Sequence, residues 1–156
     1  RRAPPGDVGS AVVTVRAARA ADRERLRELT FESKAHWGYD RDLVRRWAAG
    51  LAFDDGQERW VAEADGEIVA WAGLLPPADG VAVLDDLWVE PAWLGRGLGS
   101  RLFRLAADRA RELGAEWLEW GAEPNAVGFY ERLGGRELRD HVTEWGRIAP
   151  WMGLEL

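Results

Sequence analysis

Leu84-Asp-Asp-Leu-Trp-Val-Glu-Pro-Ala-Trp-Leu-Gly-Arg-Gly-Leu-Gly-Ser100 reads as a strand, a short turn and a glycine-rich loop that opens a helix. Pro91 closes the strand because it has no N–H for a ladder. Glycines at 95, 97 and 99 let a ligand approach the backbone, and the first turn of the following helix has N–H groups without intrahelical partners. With the helix dipole, these make a seat for phosphate oxygens. Two familiar phosphate loops fail here. The P-loop needs a Lys that this region lacks, and the dinucleotide fingerprint Gly-x-Gly-x-x-Gly does not match Gly95-x-Gly97-x-Gly99. A tight strand-to-helix turn is the plain structural alternative.

Downstream of the loop, Leu98, Leu102, Leu105, Ala106, Ala110 and Leu113 mark a long amphipathic helix that ends near Gly114. Upstream, Arg59–Ala64 and Glu67–Leu74 flank Asp65-Gly66, a strong short hairpin signal. Pro76, Pro77 and Gly80 are expected to break the chain before a strand at Val81–Val89. Ala11–Arg16 has strand composition. Asp22 is expected to cap a helix carrying Leu26, Leu29 and Ala35, which ends at Trp37-Gly38. A shorter helix follows Asp40 and stops at Gly50. Trp117–Trp120 reads as a strand, Ala126–Leu133 as a helix, and Glu137–Thr143 and Arg147–Leu156 as closing strands. The order is β-α-α-β-β-β-α-β-α-β-β, a mixed α/β chain on one sheet. The expected division is a loose leader over 1–10 and a single domain over 11–156.

Composition bounds the function. The 156 residues suit one domain, and 47% apolar with 31% charged residues is ordinary for a globular protein. Cysteine is absent, which excludes disulfides, thiol catalysis and thiolate-held metals. Twenty-one Lys+Arg against 27 Asp+Glu give a net charge of −6, which argues against a nucleic-acid partner. All of those cations except Lys34 are arginine, and ten tryptophans stand in the chain. The Trp content reads as coding-level bias or as an aromatic-lined pocket. No apolar run is long enough to span a bilayer and no signal-peptide pattern opens the chain, so the expected address is cytoplasmic, without a membrane partner. The spacing of His36 and His141 does not suggest zinc, and no metal is expected.

Asp86-Leu-Trp-Val-Glu-Pro-x-x-x-Gly-Arg-Gly-Leu-Gly99 with its helix resembles the acetyl-CoA motif of the GCN5-related N-acetyltransferase (GNAT) superfamily. Leu94 stands where the family has Arg or Gln; Gly97 and Gly99 match. Glu123-Pro-Asn125-Ala-Val-Gly-Phe-Tyr130-Glu-Arg-Leu-Gly134 is similar to the family's Asn-x-x-Ala-x-x-Phe-Tyr motif, with Asn125 displaced by two positions. Ser33-Lys-Ala-His-Trp-Gly-Tyr-Asp40 and Gly146-Arg-Ile-Ala-Pro-Trp-Met152 also resemble small bacterial members. The resemblance runs from Val12 to Leu156.

That resemblance implies a central mixed sheet flanked by about four helices and splayed between its fourth and fifth strands. It implies direct acetyl transfer from acetyl-CoA to a primary amine of a small molecule or protein, and a homodimer. The alternative is a non-catalytic acyl-CoA-binding sensor or interaction module of the same fold. Cofactor contacts fall on the backbone of Leu87 and Val89, on Leu94, Gly95, Arg96, Gly97, Leu98, Gly99 and Ser100, and on Asn125, Phe129 and Tyr130. Phe129 also suits the core, and Arg101 or Arg104 suits a solvated helix face. Tyr130 resembles the family's general acid. Transfer also needs a base, because an amine of pKa ~10.4 is mostly protonated at neutral pH. Asp86 and His36 are the candidates, with Glu90 and Glu123 behind them. Regular alternation would point Asp85 and Asp86 to opposite faces, unless a bulge intervenes. His36, Trp37, Tyr39 and Trp71 are candidates for the acceptor pocket.

Overall fold

The structure, a computed structural model, describes residues 12–156; the expected leader over 1–10 lies outside the described residues. In chain order the elements are β1 (Val13–Ala17), α1 (Arg23–Ala35), α2 (Arg41–Ala49), β2 (Glu58–Ala64), β3 (Glu67–Ala78) and β4 (Val81–Val89). They continue with α3 (Leu98–Glu112), β5 (Trp117–Gly121), α4 (Val127–Arg132), β6 (Arg136–Val142) and β7 (Ile148–Glu155). The strands form one sheet in the order β1-β2-β3-β4-β5-β7-β6. Only the β4–β5 pair is parallel; the others are antiparallel. The expected fold class and order of elements are present.

Local chemistry explains most boundaries. Asp65-Gly66 turns with positive φ at both residues (51° and 78°), the conformation a two-residue hairpin needs. Asp40 Oδ1 accepts the Leu43 amide at 3.0 Å and caps α2. Asp22 does not cap α1. Its carboxylate accepts the Arg19 amide at 2.7 Å and the Arg16 guanidinium at 2.8 Å, so it closes the turn before the helix and ties it to β1.

β3 runs through Pro76 and Pro77 instead of stopping at Leu74. The ladder with β4 slips between Leu75 and Ala78, so neither proline is asked for an N–H. The buried stripe of α3 is Leu98, Leu102, Phe103, Ala106, Ala107 and Ala110; Leu113 is exposed and Leu105 half-buried at its margin.

The sheet is covered on both faces. α3 and Tyr130 of α4 pack with Leu74, Leu84, Leu118 and Trp120 in the main core. α1 places Leu26 and Leu29 against Val61, Ile68 and Trp71 on the opposite face.

The sheet opens where expected. β4 pairs with β5 only through Val81, Ala82 and Val83, so among the described residues Leu84–Val89 has β3 on one side and no strand on the other.

Candidate active site

A cleft of about 920 Å³ fills the opening. The glycine loop and the start of α3 form one end, and the ends of α1 and β5 and the β6–β7 turn form the other. Gly97 has φ 83°, a left-handed conformation that suits glycine, and a Cβ built there would meet nothing within 4 Å. The first bond into α3 runs from the Arg101 amide to the Gly97 carbonyl at 3.0 Å. The amides of Leu98, Gly99 and Ser100 therefore lack intrahelical acceptors at the cleft wall. Gly99 serves packing as well: its Cβ would lie 3.1 Å from the Phe129 ring, so the loop and α4 approach closely.

Leu94, Gly95, Asn125 and Phe129 also line the cleft. Arg96 does not. Its guanidinium lies over the Trp93 ring at 5.8 Å on the exposed side of the loop. Arg101 is tied by its side chain to the Val13 carbonyl at 3.0 Å.

The Glu90 amide donates to Val69 of β3 at 2.8 Å. Successive N–H groups alternate along a strand, so those of Leu87 and Val89 point away from β3, into the opening. Their side chains pack in the α3-side core. The opposite face carries Asp86 and Trp88. A register shift between Gly73 and Leu74 interrupts the alternation of β4 at this level, and Asp85 and Asp86 are not on opposite faces. Both accept from Gln57 Nε2, at 3.2 and 2.8 Å.

Gln57 is held in turn by Arg59, which donates to its Oε1 at 2.6 Å. It fits there because Gly73 has no side chain; a Cβ would lie 2.5 Å from the amide of Gln57. Trp88 Nε1 donates to the other Asp86 oxygen at 2.9 Å. Burial pushes the Asp86 carboxyl up to about 7, against the lowering effect of these two hydrogen bonds. A carboxylate balanced near neutrality in a cleft suits proton transfer.

Tyr130 is buried against Trp120 and Phe129, with ring centroids 5.0 Å away in each case, yet reaches the cleft wall. Burial, and then the charge of Glu123, raise its hydroxyl above the ordinary tyrosine range, so it stays protonated. Glu123 is engaged elsewhere. It takes Lys34 Nζ at 3.0 Å, the Tyr39 hydroxyl at 2.9 Å and Asn125 Nδ2 at 3.0 Å. This knot ties α1 to the segment after β5 and makes Glu123 an anchor.

Two expected pocket residues lie elsewhere. His36 is exposed at the end of α1, packed edge-on against Trp37 and outside the residues that line the cleft. Trp71 is fully buried under α1, donating to Thr30 Oγ1 at 2.9 Å. Trp37 and Tyr39 do line the cleft.

The sequence reading missed Trp47, Trp88, Trp145 and Trp151, which also line it, and His141. His141 Nδ1 lies 2.9 Å from the Ala149 carbonyl, which can only accept, so Nδ1 donates in this bond. Its ring lies where a side chain on Gly121 would be, 3.1 Å from that Cβ position. The many tryptophans were the available signal; their convergence was not.

A sequence model of the Acetyltransferase (GNAT) family matches residues 20–135. The chain is 34% identical over 85 residues to the uncharacterized N-acetyltransferase YjgM of Escherichia coli (strain K12), covering 51% of each chain. It is 29% identical over 152 residues to the uncharacterized N-acetyltransferase MJ1207 of Methanocaldococcus jannaschii, covering 87% of this chain and 66% of that one. The matches thus span between about half and two thirds of those relatives' lengths. Among solved structures, the PaiA N-acetyltransferase of Thermoplasma acidophilum, in complex with coenzyme A, superposes with a TM-score of 0.75 at 18% identity, covering 93% of this chain and 99% of that one. A splayed sheet, a glycine loop at a helix start and a match over most of the chain agree: this protein belongs to the acetyltransferase (GNAT) family.

Proposed function

We propose that the protein is an acetyl-CoA-dependent N-acetyltransferase that passes the acetyl group directly to a primary amine. The observation that carries this reading is the meeting, in one cleft, of unpaired amides at the start of α3, inward amides of Leu87 and Val89, Asp86 and Tyr130. The residues fit coenzyme A. The α3 amides and the loop would take its pyrophosphate, as anions bind at helix starts. Asn125 and Phe129 would flank the arm that enters between β4 and β5. Acetyl-CoA supplies the thioester; this chain's residues orient it and move protons.

Asp86 takes a proton from the incoming ammonium, freeing the nitrogen lone pair. The new C–N bond forms as the carbonyl becomes an oxyanion, toward which the Leu87 and Val89 amides are directed. When the C–S bond breaks, Tyr130 donates its proton to the departing sulfur, and the second proton that the nitrogen loses as it becomes an amide returns through solvent to the Tyr130 oxygen. The absence of cysteine removes a thiol-borne acyl intermediate from consideration. Incubation with acetyl-CoA and a library of primary amines, following free CoA thiol, tests the reading. Amine-dependent release is expected; tight acetyl-CoA binding without release by any amine would make the protein a binding module.

A further inference from the structure

The acceptor half of the cleft is polarised from one end to the other, and its two ends are joined by a row of aromatic rings. Starting at Asp86, Trp88 donates to the carboxylate and its ring lies 5.8 Å from that of Trp47. Trp47 is 5.4 Å from Trp145, and Trp145 is 5.6 Å from Tyr39. All four rings line the cleft. Beyond them, the Arg147 guanidinium lies over the Tyr39 ring at 4.3 Å. Arg147 makes no ion pair among the described residues, whereas the nearby Lys34 charge is cancelled by Glu123 at 3.0 Å. One end is therefore acidic and the other carries an uncancelled guanidinium.

We propose that the acceptor is an amine with a flat, unsaturated body and an anionic group at the end remote from the amine. This rests on the transferase reading above. The amine end is fixed by the chemistry: the nitrogen must reach the thioester beside the Leu87 and Val89 amides, next to Asp86. A body leaving that point meets ring faces and edges, which favour flat, unsaturated groups. The far end meets Arg147, whose planar fork suits a carboxylate or phosphate and is held in place by its ring contact. Glu144, on the same turn, also lines the cleft; like Arg147 it is exposed and makes no ion pair among the described residues, but only Arg147 is packed over the Tyr39 ring. An acceptor read by Glu144 would instead carry a cation there.

Three amines with one body separate these cases: 4-(2-aminoethyl)benzoate, 2-phenylethylamine and 4-(2-aminoethyl)phenyl-trimethylammonium, each also as its two-ring biphenyl homologue. Free CoA thiol is followed at fixed acetyl-CoA, and acetyl-CoA binding is measured separately by calorimetry. The carboxylate-ended amine should exceed the neutral one in kcat/KM by roughly 10-fold or more, with the cation-ended amine last. Arg147→Gln should bring the carboxylate-to-neutral ratio close to one, while Glu144→Gln leaves the order as it was. A flat or reversed order, an order that survives Arg147→Gln, or no turnover by protein that binds acetyl-CoA would overturn the proposal. Failure to bind acetyl-CoA would sink the transferase reading itself and this one with it.

Discussion

Tyr130 and Asp86 show how burial sets the chemistry of single groups. Burial raises both, but with opposite results: the phenol is kept protonated, and the carboxyl is brought to about 7, where it can exchange a proton. Removing only the hydroxyl in Tyr130→Phe keeps the contacts with Trp120 and Phe129. We expect kcat to fall by about 10²-fold, the lower end for general acids, because burial weakens the phenol as an acid. Single-turnover kinetics check this, and acetyl-CoA affinity should hardly move. For Asp86, the base form must be the anion, so kcat/KM should rise with pH through about 7, and Asp86→Asn should remove that limb. Stability follows the opposite sign. A carboxyl raised from 3.8 to about 7 contributes its stability below pH 3.8 and loses it as pH rises toward 7, so Asp86→Asn should be relatively more stable at pH 8 than at pH 5. Thermal unfolding at the two pH values measures it.

At the scale of elements, the start of α3 concentrates the cofactor reading in one turn. Gly97→Val puts a β-branched residue at φ 83°, a backbone cost of about 1–3 kcal/mol, and sends a side chain into the space before the amides. A Cβ there meets no protein atom within 4 Å, so a fold-wide clash is not the cause of any loss. Calorimetry should show CoA affinity reduced by at least roughly 10-fold, with a modest drop in melting temperature. Unchanged affinity would remove the loop from the site. β4 carries a bulge opposite Gly73 and Leu74. Its bulge brings Asp85 and Asp86 to the same Gln57, and the gap left by Gly73 is what admits that side chain.

For the whole molecule, the opening between β4 and β5 leaves Leu84–Val89, two thirds of a central strand, without a described partner on one side. A ligand that enters this gap binds the folded chain alone and therefore stabilises it. At a free concentration about 100 times its Kd, CoA should add ~2.7 kcal/mol, or about 5–10 °C in melting temperature. Differential scanning calorimetry with and without CoA checks the shift, and no shift would mean that CoA does not bind the folded chain.

The sequence alone determined whatever depends on near neighbours along the chain. Asp65-Gly66 set a hairpin and Gly95 to Gly99 an amide-rich helix start, because φ and periodicity are local; the cap expected of Asp22 was lost to its contact with Arg16, a partner outside the helix. The order of elements and the family motif followed from the same signals. Tertiary structure decided what depends on register and packing between distant segments. It buried Trp71 against Thr30, left His36 outside, and drew Trp47, Trp88, Trp145 and Arg147 into one wall. A one-residue slip reverses the face a side chain takes, and nothing in the residues near Asp86 announces the bulge that governs its direction.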